Sequence, residues 1–135
     1  MTTTLLEPGT TIPEWSVPLT PTLIVSTAIA TRDFQDVHHD RDIAQAAGSK
    51  DIFMNILTST AFVERYVGDW VRSSTGSGAE IRGIAIRLGA PAYPYDTLTF
   101  TGSVESVSDG IAVVKVTGSV SLGDHVIGTV KVAVG

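Results

Sequence analysis

No cysteine occurs among the 135 residues. Disulfides, thiolate metal sites and cysteine nucleophiles are therefore excluded together, and any catalysis must use other groups. Positive charge is also scarce. Nine Lys and Arg stand against fourteen Asp and Glu, a formal net charge of -5, which argues against a nucleic-acid protein with a basic face. A local basic patch for a phosphorylated ligand would need Lys50, Arg82 and Arg87 to converge. No apolar run is long enough to span a bilayer, and the start Met1-Thr2-Thr3-Thr4-Leu5-Leu6-Glu7-Pro8 lacks the basic opening and continuous apolar stretch of a secretory signal. The cytoplasm is the expected location, with no membrane partner. A P-loop, a dinucleotide glycine fingerprint, an internal repeat and a Gly-x-Ser-x-Gly elbow are all missing, which removes the usual nucleotide folds and leaves a serine hydrolase with little support.

What is present suits one globular domain: 43% apolar and 17% charged residues, with length for a single sizeable core. Prolines at 8, 13, 18 and 21 make regular structure unexpected over residues 1–21. An extended arm is predicted there, ahead of a domain over 22–135. Its apolar members Ile12, Trp15, Val17 and Leu19 suggest packing against its own domain or a partner subunit.

The β-branched, apolar run from Thr22 to Ala30 favours a buried strand. An Ala-rich stretch in residues 41–52 predicts a short helix stopped by Gly48, with Ser49 and Asp51 as candidate N-caps for the next helix. That helix is predicted from Phe53 to Val71, because Phe53, Ile56, Leu57, Ala61, Val63, Tyr66, Val67 and Trp70 recur at three- and four-residue steps. A Ser/Gly-rich connector at 73–78 follows. Four strands are then predicted at 81–88, 97–107, 111–120 and 125–134, with turn signals at Asp109-Gly110 and Gly123-Asp124. The economical architecture is α+β, a curved antiparallel sheet wrapped around the long helix.

Between the first apolar run and the long helix lies Asp33-Phe34-Gln35-Asp36-Val37-His38-His39-Asp40. A polar loop between core elements is where a rigid scaffold presents catalytic groups. Asp33 and His38 are five residues apart, so a loop folding back could turn both toward one water, with the imidazole exchanging protons near neutral pH. Such a pair can add or remove water. The structural alternative is a capping Asp and a surface His. Asp36, His39 and Asp40 read as turn-forming or solvated groups. A metal site from His38, His39 and nearby carboxylates is weakly supported, since adjacent histidines usually point apart and no regular ligand spacing is present. His125 reads as an edge-strand or turn residue. Tyr93 and Tyr95 could equally pack or bind a ligand's apolar body. The start of the long helix, around Met54 to Leu57, offers free N–H groups that could polarise a carbonyl.

The pattern Asp33-x-Gln35-x-Val37-His38-x-Asp40, followed by Ala44, Gly48 and Phe53-Met54-Asn55-Ile56-Leu57-Thr58, resembles the MaoC-like hot-dog hydratases, the family of (R)-specific enoyl-CoA hydratases. The resemblance runs from about Pro13 to Val134. It implies a single hot-dog domain that hydrates a 2-enoyl-CoA thioester, with Asp33 and His38 as the catalytic pair. Gln35 falls where the family usually has Asn. Asn55 falls where many members have a glycine whose backbone helps bind the thioester oxygen, so Asn55, Ile56 and Gln35 become candidates for substrate and oxyanion binding. The runs 30–40 and 51–58 are similar, more narrowly, to the small catalytic subunits of actinobacterial steroid side-chain enoyl-CoA hydratases. That similarity implies a steroid-CoA substrate with a short unsaturated side chain, as in cholesterol catabolism, no cofactor beyond the CoA of the substrate, and a larger MaoC-like partner without the catalytic pair in an α2β2 assembly. A hot-dog thioesterase and a non-catalytic interaction subunit are the alternatives.

Overall fold

The computed structural model describes residues 6–75 and 79–134. In chain order these form β1 (Thr11–Pro18), α1 (Pro21–Ala30), a single 3-10 turn (Asp36–His38), α2 (Arg41–Ala46), α3 (Ile56–Thr75), β2 (Glu80–Leu88), β3 (Thr97–Ser108), β4 (Ile111–Val120) and β5 (Gly123–Ala133). The strands make one antiparallel sheet in the order β1-β3-β4-β5-β2. On β4, Ala112, Val114, Val116, Gly118 and Val120 alternate inward, as a strand with one covered face requires. Against that face lies α3, whose Val63, Tyr66, Val67 and Val71 join Phe100, Val104, Val114, Val130 and Val132 in one core. Gly102 permits this contact. A Cβ there would press on the Lys115 carbonyl, the Ile12 side chain and the Tyr66 ring at once. This is the hot-dog arrangement that the resemblance implies.

Thr22–Ala30 is a helix and not the predicted strand. The Thr20 hydroxyl accepts from the Leu23 N–H at 3.0 Å, with Pro21 in the first turn, a start signal worth about 1 kcal/mol. Thr27 and Thr31 turn their hydroxyls back onto carbonyls one turn earlier, and burial of Ile24 and Ala28 supplies the rest. β-propensity loses because it measures fit to a sheet, and no sheet neighbour is offered here.

The N-terminal segment also differs from the reading as an arm without regular structure. Thr11–Pro18 pairs with β3 as an edge strand, where prolines are tolerated because one side of the strand needs no N–H donors. Trp15 stacks on Tyr66 and Phe100, so this segment packs within its own domain.

At α3, Asn55 is the cap, its Oδ1 accepting from the Thr58 N–H at 3.3 Å. Ser49 instead donates to the Asp51 carbonyl, and Asp51 accepts from the Ile52 N–H. The helix therefore begins at Ile56, after residues 52–55, which carry no regular secondary structure, and its apolar stripe is offset. Ile56 and Leu57 are each 50% exposed, Ala61 is exposed, and Ser59 is buried. Of the connector predicted at 73–78, Ser73 to Thr75 belong to α3, and 76–78 lie outside the described residues. Asp109 and Gly110 take φ of 53° and 76°, the paired left-handed conformation of a tight hairpin. The other hairpin turns at Ser121-Leu122, two residues before the predicted position, and Gly123 already belongs to β5.

Candidate active site

The end of α1 places the first catalytic candidate. The Arg32 N–H donates to the Ile29 carbonyl and the Asp33 N–H to the Ala28 carbonyl, both at 2.9 Å, and Arg32 sits at φ 57°. This is a Schellman motif, which closes a helix by reversing the chain through one left-handed residue. Asp33 is the residue immediately after the reversal, so its side chain is aimed by backbone geometry.

His38 arrives from the 3-10 turn and is buried. Its Nδ1 lies 2.6 Å from the Phe53 carbonyl oxygen, which can only accept, so Nδ1 carries the proton. In the neutral ring Nε2 is then an acceptor. It faces Asp33 Oδ2 at 3.4 Å. The Asp33 carboxylate is held on its other sides by the Gln35 N–H at Oδ1 and the Asn55 amide at Oδ2, each at 3.2 Å. Burial pulls the Asp33 pKa upward, but these two hydrogen bonds and the fields of His38 and His39 outweigh it and keep the group below the ordinary carboxylate value. With the ring in this neutral tautomer, a carboxylate oxygen and the Nε2 lone pair lie 3.4 Å apart. Two opposed acceptors are complementary to one water molecule, which donates one O–H to each.

Asn55 joins this pair to α3. Its amide donates to Asp33 and, at 2.9 Å, to Thr31 Oγ1, while its Oδ1 accepts from the Thr58 N–H and hydroxyl. At the helix start the Met54 N–H is taken by the Ala92 carbonyl and the Ser59 N–H by the Asn55 carbonyl. The N–H groups of Ile56 and Leu57 belong to the first turn, where no intrahelical acceptor exists. First-turn donors of this kind can serve an oxygen that gains negative charge.

A cleft of about 380 Å³ opens at His38, Asn55 and Ile56, and Asp33, joined to it through His38 and Asn55, is outside its lining. Phe53, Met54, Ile56, Leu88 and Pro91 make it largely apolar, and His38, Asn55 and His125 also line it. Of the predicted site residues, the structure brings together Asp33, His38, Asn55 and Ile56. Gln35 contributes its backbone N–H to Asp33, and its side chain is exposed outside the cleft lining.

The neighbours shape the loop. The His39 Nε2–H donates to the Asp33 carbonyl at 2.7 Å and its ring stacks on Phe34. The Asp40 carboxylate caps α2 at the Ile43 N–H. His38 and His39 are engaged by different carbonyls, and among the described residues no three His, Asp or Glu side chains gather at metal-binding distance. Arg82 pairs with Glu80 on β2, and Lys50 lies 5.9 Å from the centre of the Tyr93 ring. Neither lines the cleft, and Arg87, Tyr93 and Tyr95 are also outside it.

His125 differs from its reading as an edge or turn residue. It is 2% exposed on β5, an interior strand between β4 and β2. Its Nδ1–H donates to the Ala90 carbonyl at 2.7 Å, and its Nε2 accepts from the Ser59 hydroxyl at 2.7 Å. Burial pushes its pKa down, partly opposed by the Ala90 bond, so the ring is neutral. The two partners are 35 and 66 residues away in sequence, and no local spacing signals such a contact.

Relatives share this architecture. The beta subunit of a 3-oxo-4,17-pregnadiene-20-carboxyl-CoA hydratase from Mycobacterium tuberculosis is 58% identical over 125 residues, covering 93% of this chain and 94% of that one. A chain of the ChsH1-ChsH2 complex from the same organism superposes with a TM-score of 0.91 at 55% identity, over 97% of this chain and all of that one. The (R)-hydratase of A. caviae involved in PHA biosynthesis shares the fold at 18% identity, with a TM-score of 0.84 over 96% of this chain and 98% of its own. The model of the MaoC-like domain matches residues 6–125, a span that contains the Asp33–His38 pair, the capped start of α3 and both cleft walls, and the chain belongs to the MaoC-like domain family.

Proposed function

We propose that the chain hydrates a 2-enoyl-CoA thioester to the 3-hydroxyacyl-CoA. The observation that carries this reading is the opposed pair, Asp33 Oδ2 and His38 Nε2, 3.4 Å apart beside the open first turn of α3. A water held by both acceptors is oriented and made more nucleophilic. As its oxygen bonds to C3, one O–H proton passes to the pair, and the C2–C3 π electrons move toward the thioester carbonyl. The oxygen of the resulting enolate lies within reach of α3's first-turn donors, the N–H groups of Ile56 and Leu57, aided by the positive helix end. The pair then returns its proton to C2. The sum is one water added, OH at C3 and H at C2, with the enzyme restored. No resident cofactor or metal is required, since CoA belongs to the substrate.

For the acyl group we propose a steroid carrying a short unsaturated side chain, in keeping with the 58% identical hydratase subunit and the apolar cleft. We further propose that the chain works as the catalytic subunit beside a larger MaoC-like subunit that lacks the pair, in an α2β2 assembly. The 55% identical chain was solved within a two-component complex, and Ile56, Leu57 and Leu88 leave apolar surface exposed around this cleft. Among the described residues no helix is long and apolar enough to cross a membrane. We place the reaction in the cytoplasm.

The test is hydration of enoyl-CoA by the assembled complex, followed by loss of the enoyl absorbance. Asp33→Asn and His38→Ala should each lower the rate by about 10²–10⁴ without preventing assembly. Wild-type rates in both variants would overturn the assignment. Release of free thiol would mark a thioesterase, and partner-dependent activity indifferent to both substitutions would mark a non-catalytic subunit.

A further inference from the structure

The cleft has two walls, the start of α3 and the segment 88–91 that leaves β2; the Met54 N–H ties them at one end through the Ala92 carbonyl, and a buried side-chain contact between Ser59 and His125 ties them further along. On the second wall, the Gly89 N–H donates to the His125 carbonyl and the Ala90 N–H to the Asp124 carbonyl, both at 2.8 Å. The His125 ring then donates back to the Ala90 carbonyl and accepts from Ser59 on α3. Gly89 is needed for this approach, because a Cβ there would collide with the Asp124 carbonyl oxygen. Ser59 and His125 are 0% and 2% exposed, so this contact lies in a low-dielectric interior where losing Ser59 leaves His125 Nε2 unsatisfied, while the Ser59 hydroxyl has the Asn55 carbonyl at 3.3 Å as a second acceptor. Both imidazole nitrogens are engaged, which leaves neither for proton transfer to a substrate. His125 nevertheless lines the same cleft as His38.

We propose that His125 and Ser59 are a positioning pair that fixes the 88–91 wall against the first turns of α3, and so sets which acyl groups the cleft accepts. This rests on the hydratase reading for its substrate, an acyl thioester whose apolar body lies between the walls. The geometry itself does not depend on that reading. Ser59 belongs to the same helical turn as the oxyanion donors, so a wall released from it changes the fit of the acyl group more than it changes the Asp33–His38 pair.

Two measurements on the assembled protein test the proposal. In the first, enoyl-CoA substrates of graded acyl size are assayed with Ser59→Ala, His125→Phe and the double variant. KM for the best wild-type substrate should rise about tenfold, kcat should change less than threefold, and the size preference should shift. The double variant should be no worse than His125→Phe alone, because the two act through one bond. His125→Asn, whose amide can still donate to the Ala90 carbonyl, should recover part of the loss. In the second, hydrogen exchange at Gly89 and Ala90 should quicken at least tenfold in Ser59→Ala while Val114 in the core stays protected. A hundredfold fall in kcat with KM unchanged would overturn the proposal by making His125 catalytic, and so would unchanged KM, size preference and exchange. Should the wild type hydrate no enoyl-CoA, the exchange measurement alone decides whether the pair fixes the wall.

Discussion

Replacing Asn55 by Asp separates its two roles, because the carboxylate can still cap α3 at the Thr58 N–H yet can no longer donate to Asp33. It places a second negative oxygen where the Asn55 amide now lies, 3.2 Å from Asp33 Oδ2. At an effective dielectric constant of about 20, two unit charges at that separation repel by about 5 kcal/mol. Relaxation and the 20% exposure of the Asp33 side chain reduce this. A pKa unit corresponds to about 1.36 kcal/mol, so an upward shift of about one to three units is expected for proton loss from the site. The added charge stabilises every protonated form of the Asp33–His38 pair, so both members move in the same direction. The acid limb of the kcat/KM profile should therefore move to higher pH by that amount, and stability at pH 8, where both carboxylates are ionised, should fall by about 1–4 kcal/mol although the cap survives. Asn55→Ala gives the contrast: it loses the cap and the charge-assisted bond, at about 2–4 kcal/mol in stability. An acid limb that stays in place in Asn55→Asp, in a complex that folds and binds substrate, would refute the claim that this amide controls the charge at Asp33.

Arg32 holds a left-handed conformation that costs a non-glycine residue about 1–2 kcal/mol, so Arg32→Gly should leave stability unchanged or raise it by up to about 1 kcal/mol in urea denaturation, the gain being offset by greater freedom of the unfolded chain. Tyr66 is pushed up to about 12 by burial, with Glu14 adding to the effect. An alkaline absorbance titration should show one of the three tyrosines ionising late, and Tyr66→Phe should remove that phase and cost about 1 kcal/mol through loss of the bond to the Pro13 carbonyl. Asp96 joins β3 to the β4–β5 hairpin through Thr97 and Ser121. Burial raises its pKa, but the Ser121 hydroxyl, the two backbone N–H groups and the charge of Lys50 outweigh it, so the net shift is downward. The folded state thus binds fewer protons than the unfolded one: the contribution is complete above the unfolded pKa of about 3.9 and is lost as pH falls through the lower folded value. Urea midpoints measured between pH 6 and 2.5 should fall less steeply for Asp96→Asn than for wild type.

Strand and helix periods in the second half of the chain were readable because each element there carries its own pattern. The alternation of β3 and β4 and the Asp109-Gly110 turn are local, and the structure moves the ends by only a residue or two. α1 shows the opposite case. Its apolar, β-branched run has no usable period, and the Thr20-Pro21 start signal outweighs propensity. The edge strand β1 was hidden by its prolines, which are harmless only once its place at the margin of the sheet is known.

In the site, the five-residue spacing made Asp33 and His38 visible as a pair, but their relation depends on groups that spacing does not show. The Schellman end of α1 needs a residue that is not glycine to adopt a left-handed conformation, so the usual glycine signal is missing. Asn55 was legible as a departure from the family pattern, and its contact with Asp33 is a tertiary fact. Ser59 and His125 carried no signal, because a serine in a helix and a histidine near a turn are common and their meeting requires the completed sheet.

The proton on His38 is placed by the oxygen of a peptide bond, the Phe53 carbonyl, and not by a carboxylate or amide side chain. Every amino acid at position 53 supplies that oxygen. The identity of the basic nitrogen is therefore insulated from point mutation at the residue that determines it, and the side chain there is free to vary with the shape of the acyl group. Acyl preference can diverge at position 53 while the acid–base chemistry is inherited unchanged.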